Sequence, residues 1–504
     1  MPSLIKIIVS LSLLALSGCV PNTSHVENMH QNTMHIGTEQ FPSSLDSGLE
    51  WNGWFTVRYG IGETLFTVDD QMVLQPCLAE AVDFIDAYTW RITLRSDVKF
   101  SDGSVMDVES VRNNLQRVSQ VNPRASFLKD ATYDIDGNQL TIHTTSMCVT
   151  LPSELSDPMF SILNLSSSND KDSIPVGTGP YQVQSFTADK DVTLIPNTYY
   201  WNGQPKVNEI TVSKVLEKET ALLALENHEL DAYTDINPQG IQQLQNNNDF
   251  TIQSIPSSRV YSLYLNPKTL EDSTLRQAIA IAIDKDTIAN HLLEGNITPT
   301  YSPFPSDSMY AYEADKNIYN LDQAKQLLKD AGYVDTNNDG YIDIDGKNIN
   351  LRISYYKRLS LEAIATQLQS TLKKLGIQSE VNVYESSGYL ETKDYDLGLY
   401  SMVTMPTGDP AYYFNALLAD GGSVNYIGSP SEQLQQLLDQ LNTTSDTEAR
   451  SQISMDIQKL YLPDNFVIYI GFVNLNFAMD SHIKNFVPHE TDYYQITKDL
   501  EIDS

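Results

Sequence analysis

Two histidine–glutamate pairs, His228-Glu229 and His489-Glu490, come nearest to a zinc-hydrolase signature. Neither has the second histidine four residues after the first, so neither puts two imidazoles on one helical face. No serine occupies a Gly-x-Ser-x-Gly elbow. Gly340 and Gly346-Lys347 are spaced one residue too widely for a phosphate loop, and Asn348 replaces its Ser/Thr. There is no Cys-x-x-Cys, and no Gly-x-Gly-x-x-Gly precedes a helix. These residues imply binding rather than catalysis. One run is metal-like: Asp335, Asn337, Asp339 and Asp343 stand at positions 1, 3, 5 and 9 of a loop with Gly340 at 6. That is the first part of a calcium loop, but Gly346 replaces the bidentate Glu at position 12. The run is either a weak structural Ca site or a polar turn leading into a strand. His25, His30 and His35 could catch a metal or be scattered along a solvated tether.

Cys19 has a chemistry of its own. Lys6 precedes an apolar run, Ile7–Leu16, of about ten residues, short of the about 20 that span a bilayer. The run suits the apolar region of an export signal. It ends in Leu16-Ser17-Gly18-Cys19, which resembles a bacterial lipobox. That implies a signal peptide over 1–18, a lipidated Cys19 and a polar tether over 19–34. Two or three acyl chains anchor stably where one is marginal. The expected location is extracytoplasmic, at the outer face of the cytoplasmic membrane or in the periplasm. Cys77 and Cys148 are expected as separate buried thiols rather than a bridge.

The elements that must position any site are mixed α/β. Thr89–Leu94 alternates as a half-buried strand, and Gln139–Thr144 as another. Asp107 is placed to cap a helix carrying Val108, Val111, Leu115 and Val118. Strands are also expected around Tyr181–Phe186 and Val192–Ile195. Ile349–Ile353, a helical stripe over Leu361–Leu375 closed by Gly376, and Ile377–Tyr384 form a βαβ unit with a parallel sheet. Leu321–Ala331, closed by Gly332, is a further helix. The chain has 504 residues, enough for about two to four domains, with 41% hydrophobic residues and 28 Tyr. Against 32 Lys and Arg stand 65 Asp and Glu, a net charge of −33 that repels phosphates and excludes nucleic acid as a natural partner.

Several stretches then occur together: Tyr59-Gly-Ile-Gly-Glu-Thr-Leu-Phe66, Pro76-Cys-Leu-Ala-Glu80, Trp90–Arg95 with Asp97–Gly103, Gly177-Thr-Gly-Pro-Tyr181, Asn197–Trp201, Leu275–Lys285, Leu321–Gly332 and Gly408-Asp-Pro410. In this order they resemble the bacterial extracellular solute-binding proteins of family 5, the peptide and nickel receptors of ABC importers. The resemblance implies a two-lobed, periplasmic-binding-protein-like α/β fold with an extra subdomain on the first lobe and a ligand cleft between lobes. Lobe I would span 35–257, lobe II 258–470, and 471–504 would return to lobe I. The chain would cross near Arg259–Pro267 and return near Phe466–Asn474. A monomer is expected, with an ABC permease as its protein partner and no prosthetic group.

The resemblance also bears on cargo. Peptide-binding members hold the peptide amino terminus with an Asp three residues before the Gly-Asp-Pro aspartate; here that position is Pro406. A buried ammonium without its counter-charge is costly. A nickel or related transition-metal chelate is therefore the expected cargo, with an oligopeptide as the alternative. Arg124 matches the position of the family's carboxylate-binding arginine, and a guanidinium suits bidentate carboxylate recognition. Arg58 is a second candidate, or a structural ion pair. Tyr400, Thr404 and Thr407 are expected on the second-lobe wall, whereas Tyr412 and Tyr413 fit a core or hinge. No histidine lies in 411–428, so His489 is left as a weak candidate to meet a metal in the cleft.

Overall fold

Two long strands organise the chain: β6 (Phe250–Leu265) and β11 (Val467–Asp480), paired antiparallel over almost their whole lengths. The computed structural model describes residues 32–167, 174–312, 318–344, 346–358 and 360–503; the expected signal segment, Cys19, His25 and His30 lie outside them. Around the two strands is an eleven-stranded sheet. Its other members are β1 (Thr33–Thr38), β2 (Tyr181–Thr187), β3 (Asp191–Pro196), β4 (Glu209–Lys214), β5 (Ala232–Tyr233), β7 (Ile297–Pro299), β8 (Asn350–Tyr356), β9 (Gln378–Tyr384) and β10 (Leu397–Val403). The order is β9-β8-β10-β6-β11-β5-β1-β4-β3-β2, with β7 added alongside β11.

The βαβ unit read from the sequence is present. β8 and β9 run parallel, and the helix Leu361–Lys374 between them buries Leu361, Ile364, Ala365, Leu368 and Leu372. Gly376 follows at φ +78°, the left-handed conformation that ends a helix at least cost in glycine. A separate antiparallel sheet joins Ala79–Asp86, Thr89–Leu94, Gln139–His143 and Thr132–Asp136. The helix Val108–Val121 covers it, with the Asp107 carboxylate accepting from Ser110 N (2.8 Å) as its cap. The C-terminal stretch packs Ile483, Phe486, Ile496 and Leu500 against Met34, Ile36 and Tyr181.

The sequence reading shortened the two long strands. The expected crossing near Arg259–Pro267 covers only the second half of β6, and Pro256, which has no N–H, lies in the half that it leaves out. In the structure Pro256 stands at the edge of a bulge: Phe250–Pro256 pairs with Asp480–Asn474, the register slips, and pairing resumes at Val260↔Phe472. A bulge tolerates the missing donor and bends the strand. Ser257 Oγ fills the gap, donating to Val473 O (2.7 Å) and accepting from Arg259 N (3.2 Å).

Cys77 and Cys148 are free and half-buried, and burial pushes the Cys148 thiol up to about 12. In the calcium-like run, the Asp335 carboxylate accepts from Asp339 N (3.2 Å) and Gly340 N (2.8 Å). Asp339 accepts from Tyr341 N (2.9 Å), and Asp343 is buried under Thr336. The run's oxygens are engaged by its own turn, which closes into the hairpin Asp343–Ile344/Lys347–Asn348.

Candidate functional site

The bulge in β6 opens onto a cavity of about 510 Å³. Ser257, Ser258 and Arg259 form its floor, and Asn474 and Asn476 of β11 lie beside them. The Glu490–Asp492 stretch enters from the C-terminal segment, Arg358 from the end of β8, and Trp54 and Arg58 from the helix Gly53–Arg58. Ser258 ties the bulge to the C-terminal stretch and to Thr404, just after β10. Its N–H donates to Glu490 O (2.9 Å), and its own carbonyl accepts from Thr404 N (2.9 Å) and Thr404 Oγ1 (3.2 Å).

Three arginines reach the cavity, and they differ in partnership. Arg58 is 3% exposed, donates from Nε to Asp492 O (3.0 Å) and forms an ion pair with the Asp492 carboxylate. Burial raises the Asp492 pKa, and Arg58 opposes that rise. Arg259 and Arg358 make no such direct contact: among the described residues neither guanidinium makes a hydrogen bond or an ion pair, and Asp492 acts on Arg259 only from a distance. Burial, and then the charge of Arg358, lower the Arg259 pKa. A buried guanidinium with a second one beside it suits anionic oxygen, since a carboxylate neutralises the charge and takes bidentate hydrogen bonds.

Acidic groups stand in the same cavity. Burial pushes Glu490 up to about 8, with Asp307 and Asp70 adding to it, and its Oε2 is buried without a partner. Asp235 is held ready by Glu39 N (2.9 Å) and Thr234 Oγ1 (2.9 Å). The indole of Trp54 supplies an apolar wall, with its buried Nε1 unpartnered. Closely placed cationic and acidic groups beside an aromatic face suit a compact, polar, carboxylate-bearing solute.

Of the residues expected from sequence, Arg58 lines this cavity. Arg124 does not: it pairs with Asp157 (2.9 Å) and lies over the Trp51 ring (3.9 Å). Trp51 meets Trp54 edge-on at 5.4 Å, so Arg124 is two rings removed from the cavity. Tyr400 sits on β10 among Tyr264, Tyr356 and Tyr426. Thr404 is fully buried on Ser258, and Thr407 is buried with its hydroxyl unpartnered. His489 is 6% exposed; its Nδ1 meets Thr491 Oγ1 at 2.7 Å, and burial lowers its pKa. Its neighbours Glu490, Thr491 and Asp492 line the cavity. The Gly-Asp-Pro aspartate, Asp409, is buried on Arg450 (2.8 Å) and accepts from Ala411 N (2.8 Å) at the start of the next helix. Tyr413 is core, with its hydroxyl 2.8 Å from that of Tyr469, while Tyr412 is partly exposed.

Arg259 and Arg358 were missed, though both carried a signal. Arg259 is the lone charge of the strand Phe250–Leu265. Arg358 follows a parallel strand at its carboxyl end, where open α/β sheets gather ligands.

Residues 73–425 match the model of the bacterial extracellular solute-binding proteins, family 5. The chain is 29% identical over 479 residues to the nickel-binding protein NikA of Staphylococcus aureus, covering 94% of each. To the oligopeptide-binding protein AppA of Bacillus subtilis it is 24% identical over 86% of this chain and 85% of that one. Among solved structures it resembles a nickel ABC transporter protein from Bacillus halodurans (TM-score 0.85, 29% identity, 93% of this chain and all of that one). It also resembles S. aureus NikA in complex with Ni(L-His)2 (TM-score 0.75, 28% identity, 94% of this chain and all of that one). This chain belongs to the bacterial extracellular solute-binding proteins of family 5 and has their two-lobed fold.

Proposed function

We propose that this protein is the receptor of an ABC importer that captures a nickel or related transition-metal chelate and delivers it to the permease. The observation that carries this reading is the unpartnered pair Arg259 and Arg358 in the cavity at the β6 bulge. A metal wrapped by small carboxylate ligands presents anionic oxygens on a compact body. The two guanidiniums supply charge for those oxygens, and Trp54 supplies an apolar wall. The name of the S. aureus relative and the Ni(L-His)2 in its structure support the same cargo class. Lobe I would comprise 35–257 with 471–504, and lobe II 258–470, with β6 and β11 as the connections. Lipidated Cys19 would tether the protein outside the cytoplasmic membrane.

An oligopeptide is the second reading. Asp235 and Glu490 could meet an ammonium, and the AppA relative is named for peptides. Against it, Pro406 replaces the aspartate expected of peptide binders, and Asp409 is consumed by Arg450.

Native mass spectrometry of the chain lacking residues 1–19 separates the two. The expected result is an adduct that carries metal and small ligand together when nickel and histidine are both supplied, and that is lost in Arg259→Ala. A ladder of peptide masses without metal would overturn the chelate reading.

A further inference from the structure

A second group of metal-ligating side chains lies away from the cavity. Asp231, Asp480 and His482 each offer one ligand atom, and these atoms all lie within 4.8 Å of one another. Asp480 is the last residue of β11, four residues beyond Asn476 on the cavity wall, which is about 13 Å along an extended strand. The two places are distinct.

The group sits on paired strands. Asp480 N donates to Asp231 O (2.8 Å), and Asp231 N donates to His35 O (2.8 Å), so β11, β5 and β1 hold the two acids in register. One Asp231 oxygen accepts from His35 N (2.6 Å), which orients the carboxylate and leaves the other oxygen available. Asp503 N fixes the His482 carbonyl (2.9 Å). A fourth side chain supports the group: His228 Nδ1 lies 3.2 Å from both oxygens of Asp480, and its ring stacks on Phe250 at 6.0 Å.

We infer that Asp231, Asp480 and His482 bind a divalent transition-metal ion of the zinc and nickel class, with His228 orienting Asp480 by a hydrogen bond. Asp480 is 1% exposed and stands beside a second carboxylate, so a divalent cation between them would neutralise both charges in a place that water reaches poorly. An imidazole among the ligands favours zinc or nickel over magnesium or calcium, which prefer oxygen alone. Three protein ligands leave a position for water, the arrangement of an open zinc site. The hydrogen bond from His228 to a ligating carboxylate is the outer support that such sites use. The bound ion would pin the ends of β11 and β5 to the C-terminal segment.

The test is calorimetric titration of the full mature chain with zinc chloride and nickel chloride, in buffer free of amino acids and chelators, with bound metal counted by mass spectrometry. Wild type is expected to bind one equivalent. His482→Ala and Asp231→Asn should each weaken binding at least tenfold, and His228→Ala by about tenfold. Arg259→Ala should leave this binding unchanged. His482 is half-buried at the surface, so its alanine variant should melt like wild type in EDTA; if it does not fold, Asp231→Asn decides. Absence of binding by wild type, unchanged binding in both ligand variants, or loss on replacing His25 and His30 would overturn the site. None of these results touches the chelate reading of the cavity, which is read with a chelator present.

Discussion

Arg259 and Arg358 carry the functional argument at the scale of single residues. Each offers a charge-assisted contact worth about 1.5–3 kcal/mol to a carboxylate. Arg259→Ala and Arg358→Ala should therefore each weaken chelate binding about ten- to hundredfold by calorimetry. The double variant should fall short of the product, because neighbouring charges are not additive. Arg124→Ala should cost less affinity than either, since its guanidinium is engaged by Asp157 and Trp51. Glu490 gives a pH prediction. Its folded pKa is raised to about 8 by burial, above that of the unfolded chain. The folded state thus keeps a proton that the unfolded state releases, and the Glu490 contribution to stability is lost as pH rises from about 5 to 8. Urea midpoints of Glu490→Gln and wild type should separate progressively across that window, with the variant gaining. Parallel curves would show that Glu490 is not so perturbed.

Among the elements, the bulge in β6 and the turn after β10 do the positioning. The bulge turns Arg259 toward the cavity, and Ser258 binds that bulge to Glu490 and Thr404. The turn after β10 leads into Asp409, whose buried carboxylate faces Arg450. Arg450 also donates to Thr444 O (2.7 Å), so the pair joins two helices to the turn. Removing one partner leaves an uncompensated buried charge at a cost of about 3–5 kcal/mol. Asp409→Ala should lose about that much in chemical denaturation. A loss under about 1 kcal/mol would mean that water reaches Arg450 readily.

For the whole molecule, the arrangement of β6 and β11 matters most. Both strands run past the cavity, so bending at the bulge can change its width without breaking the sheet on either side. Val68 and Met72 pack with Met405, and Gly408, at φ +72°, approaches so near that a Cβ there would lie 2.6 Å from Met72 O, a contact that closing lobes would form. Opening must separate these groups, and a ligand that bridges the two sides favours the closed form. Solution scattering should show the radius of gyration falling when nickel and histidine are added together, but not with either alone. Gly408→Val should hinder that compaction while leaving the βαβ unit folded. An equal response of the variant would remove this contact from the closing motion.

Local patterns in the sequence determined much of the fold. The helix Leu361–Lys374, its Gly376 stop, the Asp107 cap and the strand Thr89–Leu94 rest on periodicity and end signals within a few residues of one another, and all stand as read. The ordered motifs were legible too, because close packing demands particular residues: a Cβ at Gly177 would lie 2.1 Å from Ile61 O. The candidate site was less legible. Arg58 could be named, but whether a guanidinium is spent on a carboxylate or left facing a cavity depends on partners such as Asp492 and Asp157, far away in sequence. The same holds for Asp231 and the Asp480–His482 pair, which only the pairing of β5 with β11 brings together. Short-range sterics and hydrogen bonding act between neighbours and leave their pattern in the chain, whereas charge neutralisation and ligand geometry are properties of the folded surface, decided by tertiary structure alone.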